Sequence, residues 1–389
     1  MIVDLVYGTR PNIIKAAAFY AAWRDADWPF ELRLIDTGQH WDPFLAAQQC
    51  HVLGLPAPEH NLGVGQKSAS GDDMIAITHR AYANLITQTR PAATITIGDV
   101  TGSVGIAQAA AMNNVLLCHI EAGLRGGEDA VAENANRQKI DRLSDLLWAP
   151  DDGAYANLRR EMQEHRHIKM TGNIMIDALI RFPDGGKNIP KPHDIIVTLH
   201  RAGNVDDPER LGKIVGALRQ IAQTRRILWP MHPRTRHCLQ RYGLWSAIDN
   251  CHGITLCDSL PYPDFMAALR QCRAIITDSG GVQEECAWLG KPALILRDRT
   301  ERAHTLNDVA IRLVSPSDLG EAITHLIATK TMPYRPAGWD GRSAERMLCH
   351  LTSVLTPKYR QDRHINCTGM ITCNHNRQIL PSEDFHVCD

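Results

Sequence analysis

Residues 2–24 of the chain read IVDLVYGTRPNIIKAAAFYAAWR. The short apolar run Ile2–Tyr7 ends at a glycine, and Pro11, which suits the first position of a helix, precedes an apolar helix-like stretch. This order predicts a buried parallel strand, a tight turn and a helix that crosses back over the sheet. The same alternation recurs along the chain, which indicates an α/β protein.

The alternation predicts nine buried strands in two groups. They are Ile2–Tyr7, Leu32–Thr37, Ala93–Gly98, Val115–Ile120 and Leu146–Pro150 in the first half, and Ile195–Leu199, Ile227–Met231, Ala274–Thr277 and Ala293–Leu296 in the second. Between them lie helix-like stretches such as Asn12–Arg24, Gly71–Thr89 and Pro208–Gln223. Residues 182–192 are rich in Pro and Gly and predict a linker.

We therefore predict two Rossmann-like, doubly wound parallel-sheet domains, at residues 1–181 and 193–342, that face a common cleft. A helix is predicted at residues 343–360. One option is that this helix packs back on the N-terminal domain. The remaining residues, 361–389, form a tail without hydrophobic periodicity.

Length and composition exclude several classes of protein. A chain of 389 residues exceeds one ordinary core and favours two domains, and a hydrophobic fraction of 44% rules out wholesale disorder. Lys+Arg 42 against Asp+Glu 43 leaves a formal charge of −1, which disfavours a sequence-independent nucleic-acid binder. No apolar stretch is long enough to span a membrane, and the N-terminus lacks the pattern of a signal peptide, so we expect a cytoplasmic protein. The cysteines include no Cys-x-x-Cys pair, so neither a structural metal site nor a disulfide framework is expected.

Charged residues follow the predicted strands of the first half. Arg10 and Lys15 bracket the start of the first helix, where the helix dipole favours an anion; two solvated cations are the plainer alternative. Asp99 and Glu121 each follow a buried strand, and a carboxylate there is costly unless it is paired or used. Glu133 and Arg137 lie one helical turn apart, so a surface ion pair between them is an alternative to a role in the cleft. Three acids at one cleft suit general acid–base catalysis.

The second half carries cations and small residues at the corresponding positions. His200 and Arg201 follow its first strand, and His232 follows the next. Residues 278–285, DSGGVQEE, place bare amides at a helix start, which suits a diphosphate, and Glu285 could bind ribose hydroxyls. Together the two halves predict a bipartite site for a nucleotide-diphosphate compound.

In this order and spacing, the motifs resemble the non-hydrolysing UDP-N-acetylglucosamine 2-epimerases, which have the two-domain glycosyltransferase-B fold. The resemblance runs from Gly8 to about Val314 and plausibly includes the helix near Ser343–Thr356. The landmarks are residues 8–11 (GTRP), 37–40 (TGQH), 98–99 (GD), 119–125 (HIEAGLR), Glu133 with 136–137 (NR), 171–173 (TGN), Thr198 with 200–201 (HR), 278–281 (DSGG) with 283–285 (QEE), and 300–302 (TER).

The resemblance implies an isomerase that interconverts UDP-GlcNAc and UDP-ManNAc by anti elimination of UDP to a 2-acetamidoglucal and its re-addition, and that supplies bacterial surface polysaccharide synthesis. It implies a UDP-sugar substrate, a homodimer, and no metal ion or nicotinamide cofactor. By motif position the catalytic residues would be Asp99, Glu121, Glu133 and His200. The substrate-binding residues would be Arg10, Lys15, Gln39, Arg137, Arg201, His232, Phe265, Ser279, Gly280, Gly281, Glu285 and Arg302.

Several neighbours of these positions depart from the family pattern, namely Val100, Ala132, Asn134, Gly203 and the pair Ala303-His304. They leave open a 2-epimerase of a related sugar such as a UDP-diacetamido-hexuronate. A hydrolysing epimerase that releases ManNAc, a glycosyltransferase of the same fold and a binding regulator without turnover are further alternatives. Because Asn134 replaces a glutamate that takes part in activation by a second substrate molecule in bacterial members, we predict weak or absent activation.

The tail contains six potential metal ligands, whose spacing does not follow the short pairs of structural zinc sites. We interpret it as an extension that is not needed for activity. The six are His364, Cys367, Cys373, His375, His386 and Cys388.

Overall fold

A computed structural model of the chain describes residues 1–39, 43–66, 71–126, 131–162, 164, 167–182, 185, 193–307, 310–329 and 331–356. Four predictions fall partly or wholly outside these ranges. They concern His40, most of the linker at residues 182–192, the end of the helix at residues 343–360, and the tail.

The first half forms a parallel sheet of seven strands within the described ranges, in the order β3-β2-β1-β4-β5-β6-β7. The strands are β1 (Ile2–Tyr7), β2 (Glu31–Asp36), β3 (His60–Asn61), β4 (Ala93–Ile97), β5 (Leu116–Ile120), β6 (Leu146–Ala149) and β7 (Ile168–Met170). The connecting helices are α1 (Arg10–Arg24), α2 (Pro43–Val52), α3 (Gly71–Thr89), α4 (Thr101–Met112), α5 (Val131–Leu143), α6 (Asp152–Glu161) and α7 (Ile174–Arg181).

The second half repeats this architecture with six described strands, in the order β10-β9-β8-β11-β12-β13. They are β8 (Ile195–Thr198), β9 (Ile227–Met231), β10 (Ile254–Asp258), β11 (Ala274–Thr277), β12 (Ala293–Ile295) and β13 (Ile311–Leu313). The helices are α8 (Ala202–Val205), α9 (Pro208–Ile221), α10 (Pro233–Arg241), α11 (Trp245–Asp249), α12 (Tyr262–Gln271), α13 (Gly280–Leu289) and α14 (Leu319–Ile327).

These two parallel sheets confirm the predicted fold class. The nine predicted strands are present with ends that shift by at most one residue, and four further strands, β3, β7, β10 and β13, were missed. Each missed strand is the edge of its sheet. Edge strands are partly exposed here, so they lack the continuous apolar run that marks a strand buried on both faces.

The last described helix, α15 (Ser343–Leu355), lies against the first half of the chain, where it packs on α1 and α7. Asp177 of α7 accepts hydrogen bonds from the backbone N–H groups of Ser343 and Ala344, 3.0 and 2.7 Å long, and so caps this helix. The chain therefore passes from the first sheet to the second and returns. The domain boundaries at 181, 193 and 342 stay predictions.

In the part of the chain that the structure describes, no helix is both long and apolar enough to cross a membrane.

Candidate active site

The predicted site residues lie at the carboxyl ends of the strands, around the point in each sheet where the strand order reverses. That point lies between β1 and β4 in the first sheet and between β8 and β11 in the second. Loops diverge there and leave a crevice, which is the usual ligand site of open parallel sheets.

Asp99 follows β4 and is held by helix α5. Its Oδ2 lies 2.6 Å from Nη2 of Arg137, and its carbonyl oxygen accepts a hydrogen bond of 3.1 Å from the Asn136 side chain. Arg137 is thus engaged with Asp99, which corrects the alternative of a surface ion pair with Glu133. The carboxylate of Asp99 is partly open to solvent.

Glu121 follows β5 in a strained backbone conformation, with a φ of +67° that is uncommon for any residue other than glycine. Its side chain is almost fully buried, and Oε2 lies 2.5 Å from Nζ of Lys15. Burial alone raises the pKa of Glu121, but the positive charges of Lys15, Arg302 and Arg137 outweigh it, so the pKa lies below its usual value. Glu121 is therefore an ionised carboxylate. The strained backbone at this residue is also typical of functional sites.

Glu133 lies in the first turn of α5 and faces the second half of the chain. Its Oε1 is 3.9 Å from Nη1 of Arg201, whose Nη2 lies 3.6 Å from Glu301. Arg201 thus spans the crevice between a carboxylate of each half.

His200 is oriented by Asp278, a residue for which the sequence analysis predicts no role of its own. Nδ1 of His200 lies 2.9 Å from Oδ1 of Asp278, which is fully buried and also accepts hydrogen bonds from the backbone N–H groups of His200 and Arg201. Burial alone raises the pKa of Asp278, but His200 and the hydrogen bonds outweigh this effect and lower the pKa to about 2. The bond from Nδ1 leaves Nε2 of His200 for another partner.

His232 lies beside His200, with 5.5 Å between the ring centroids. Its Nδ1 accepts a hydrogen bond from the backbone N–H of Arg234 and caps α10. Burial, followed by the charges of His200 and Arg10, lowers its pKa to about 4. His232 is thus a neutral ring at pH 7.

The predicted diphosphate site is the start of α13, where Ser279 is the N-cap and Gly280 and Gly281 are the first helical residues. Arg302 lies so close to this turn that a Cβ atom on Gly280 would clash with its Nη1. Nε of Arg302 is 3.0 Å from Glu284, and Nη1 bonds to Glu301. The turn thus combines bare amides with a buried guanidinium, a combination that suits an anion.

Glu285 and Phe265 lie near the predicted nucleoside end. Burial raises the pKa of Glu285 to about 8, and the Tyr262 hydroxyl, which hydrogen-bonds to it, only partly offsets this. Phe265 is half-buried on α12, one turn from Tyr262. Arg10 of the first half reaches this region, since Nη2 donates a hydrogen bond to the carbonyl oxygen of Leu260.

Gln39 follows β2, and its Oε1 accepts a hydrogen bond of 3.1 Å from the backbone N–H of Gly102 at the start of α4. Its neighbour His40 lies outside the described residues.

The structure therefore groups the predicted residues into three pairs and one turn: Asp99 with Arg137, Glu121 with Lys15, Glu133 with Arg201, and the start of α13 with Arg302. Sequence reasoning missed the functions of Asp278, Glu284 and Glu301, which hold His200, Arg302 and Arg201. The signal that could have revealed Asp278 is the rule already applied to Asp99, an acid directly after a buried strand.

A comparison with known proteins places these features in a family. The model of the family described as UDP-N-acetylglucosamine 2-epimerase matches residues 24–352. The curated UDP-N-acetylglucosamine 2-epimerase of Methanocaldococcus jannaschii is 31% identical over 90% of this chain and 99% of its own length. The UDP-2,3-diacetamido-2,3-dideoxy-D-glucuronate 2-epimerase of Pseudomonas aeruginosa is 32% identical over 76% of this chain and 83% of its own.

Solved structures agree with the sequence comparison. The crystal structure of the M. jannaschii UDP-GlcNAc 2-epimerase in complex with UDP-GlcNAc and UDP superposes with a TM-score of 0.81 at 29% identity, over 90% of this chain and 99% of that one. The chain therefore belongs to the UDP-N-acetylglucosamine 2-epimerase family.

Proposed function

We propose that the protein is an isomerase that interconverts UDP-GlcNAc and UDP-ManNAc. The observation that carries the proposal is the placement of Asp99, Glu121 and Glu133 on one side of a crevice whose other side presents His200 and the start of α13. Acid–base groups thus face a site for a leaving diphosphate.

The reaction begins with removal of the proton at C2 by a carboxylate, while the bond from C1 to the UDP oxygen breaks in the anti direction. The products are 2-acetamidoglucal and UDP, which takes the bonding electrons. UDP then adds back to C1, and C2 is protonated on the opposite face. Glu121, which the surrounding cations keep ionised, meets the requirement for a base, and Asp99 and Glu133 are the groups that can supply a proton to the other face.

The departing charge of UDP is stabilised by the amides of Gly280 and Gly281 together with Ser279 and Arg302. His200, oriented by Asp278, donates a hydrogen bond from Nε2 to the diphosphate when the ring carries a proton there. Arg10 and Lys15 add positive charge from the first half, and Glu285 and Phe265 bind the ribose and the uracil.

A second candidate is a 2-epimerase of a UDP-diacetamido-hexuronate. It is favoured by the P. aeruginosa relative and by the unusual neighbours Val100, Ala132 and Gly203. The hydrolysing epimerase and the glycosyltransferase remain alternatives that the product distinguishes. A homodimer, a cytoplasmic location and a contribution to surface polysaccharide synthesis stay predictions.

The test is incubation of the purified protein with UDP-GlcNAc alone in D2O, followed by NMR of the products. UDP-ManNAc with deuterium at C2 is expected, because the proton delivered to the other face of C2 comes from a second group, which exchanges with solvent. Hydrogen retained at C2 would contradict elimination, and free ManNAc as the main product would identify a hydrolysing enzyme. Turnover of the diacetamido-hexuronate substrate but not of UDP-GlcNAc would favour the second candidate.

A further inference from the structure

His119, the fourth residue of β5, is fully buried, and both nitrogens of its ring face oxygen atoms. Nδ1 lies 2.7 Å from Oδ1 of Asp141 on α5, and Nε2 lies 2.8 Å from the carbonyl oxygen of Gly98. A neutral imidazole has one N–H and can donate to only one of these two acceptors. The geometry therefore requires two protons on the pair formed by His119 and Asp141.

The surroundings of Asp141 locate both protons on the ring. Its Oδ2 accepts hydrogen bonds from Nη2 of Arg125, at 2.8 Å, and from the backbone N–H of Gly123, at 3.3 Å. Burial alone raises the pKa of Asp141, but His119 and Arg125 outweigh it and bring the pKa below its usual value. Asp141 is thus a carboxylate, balanced by His119 and by Arg125, which in turn binds Glu161 of α6.

The atom that His119 holds is directly linked to a proposed catalytic group. Gly98 has a φ of +67°, and its N–H donates to the carbonyl oxygen of Ile120, so the turn that carries Asp99 is fixed from both sides. Helix α5 presents Glu133, Arg137 and Asp141 at intervals of four residues, and hence on one face. That face therefore holds Asp99 twice, through Arg137 and through Asp141 with His119.

We propose that His119 is a positioning residue, whose two ring N–H groups donate to Asp141 and to the carbonyl oxygen of Gly98 and so tie the Gly98–Asp99 turn to the α5 face that carries Glu133. The position of Asp99 relative to Glu133 depends on these two contacts. The consequence for catalysis rests on the proposed function, whereas the protonation of the ring does not.

The protonation is tested by NMR of the protein labelled with ¹⁵N in its histidine rings, with the His119 signals assigned by their loss in His119→Gln. Both ring nitrogens should carry a proton at neutral pH, because each of them faces an acceptor. In Asp141→Asn the new amide can donate to Nδ1, so the ring should become neutral with its proton on Nε2. A ring that is already neutral in the wild-type protein at neutral pH would overturn the proposal.

The positioning role is tested by kinetics. His119→Gln should lower kcat by up to about 10²-fold with little change in KM, because a displacement of Asp99 by a fraction of an ångström affects the reaction more than binding. His350→Gln is the matched control, since that half-buried ring lies on α15, where it accepts a hydrogen bond of 3.0 Å from the indole N–H of Trp148, and the variant should keep the wild-type kcat. Equal effects of the two variants, or an unchanged kcat in His119→Gln, would refute the role. If the wild-type protein has no epimerase activity, the proposed function fails, and the NMR result still decides the protonation.

Discussion

The substitution Asp278→Asn should both destabilise the protein and impair His200. Asp278 is fully buried and accepts hydrogen bonds from the N–H groups of His200 and Arg201 and from the side chain of Asn204, at 2.9 to 3.1 Å. An asparagine of the same shape would turn an NH₂ group toward some of these donors. It would also remove the negative charge that orients the His200 ring.

The pKa of Asp278 gives the size of the effect. The folded protein lowers it from 3.8 to about 2, and one pKa unit corresponds to about 1.4 kcal/mol. The carboxylate thus contributes roughly 2–3 kcal/mol to the free energy of unfolding at pH 7. Because the pKa is lowered on folding, this contribution is present above the unfolded value of 3.8 and is lost as the pH falls toward about 2.

Urea unfolding at pH 7 measures the loss, and kcat with UDP-GlcNAc measures the effect on His200. Asp258→Asn is the matched control, because Asp258 also ends a strand of this sheet but is 86% exposed and pairs with Arg236 at the surface, where an ion pair contributes little. If the two variants lose the same stability, or if Asp278→Asn keeps the wild-type kcat, the reasoning is wrong.

Four further predictions follow from the site. Three variants each remove an acid or a base: Asp99→Asn, Glu121→Gln and Glu133→Gln. In steady-state assays their turnover should fall about 10²–10⁴-fold, whereas their affinity for UDP, measured by calorimetry, should be nearly unchanged. Arg302→Ala should instead weaken UDP binding in the same calorimetric measurement by about 10–100-fold, since it removes a charge-assisted hydrogen bond; a loss of kcat alone would contradict its assignment. The rate should rise hyperbolically with the concentration of UDP-GlcNAc, because Asn134 stands where bacterial members have the glutamate that takes part in activation. The Asn134 side chain is instead bound to the backbone of Gly126, whose N–H donates to Oδ1 at 2.6 Å and whose carbonyl oxygen accepts from Nδ2 at 3.0 Å. A strongly sigmoidal rate curve would contradict this. Deletion of residues 364–389 should leave UDP affinity and kcat unchanged, whereas stoichiometric zinc in the full chain by metal analysis would show that the tail has a role.

The interior of the fold was predictable from the sequence because its strands are buried on both faces. A strand such as Leu146–Ala149, with each residue buried, is a continuous apolar run, and the alternation with helices then indicates a parallel sheet. The edge strands are different. Ile168–Met170 is partly exposed throughout, and pairing with β6 rather than its own sequence makes it a strand.

The sequence predicts which residues belong to the site, but not which of them pair with one another. The order of motifs led to Asp99, Glu121 and Glu133, whereas their partners come from elements far away in the sequence. Lys15 reaches Glu121 across 106 residues, and nothing in the local sequence of either indicates that contact. Whether a cation such as Arg137 pairs within its own helix or with a residue that follows a neighbouring strand depends on how the elements pack, which a local pattern does not determine.

The return of α15 to the first half has a consequence for synthesis on the ribosome. Domains fold as the chain emerges, the N-terminal one first. Here the apolar surfaces of α1 and α7 are covered by a helix that begins at Ser343, after the second sheet has been made. The surface of the nascent first half that α15 covers therefore stays exposed until the residues from Ser343 onward have been translated.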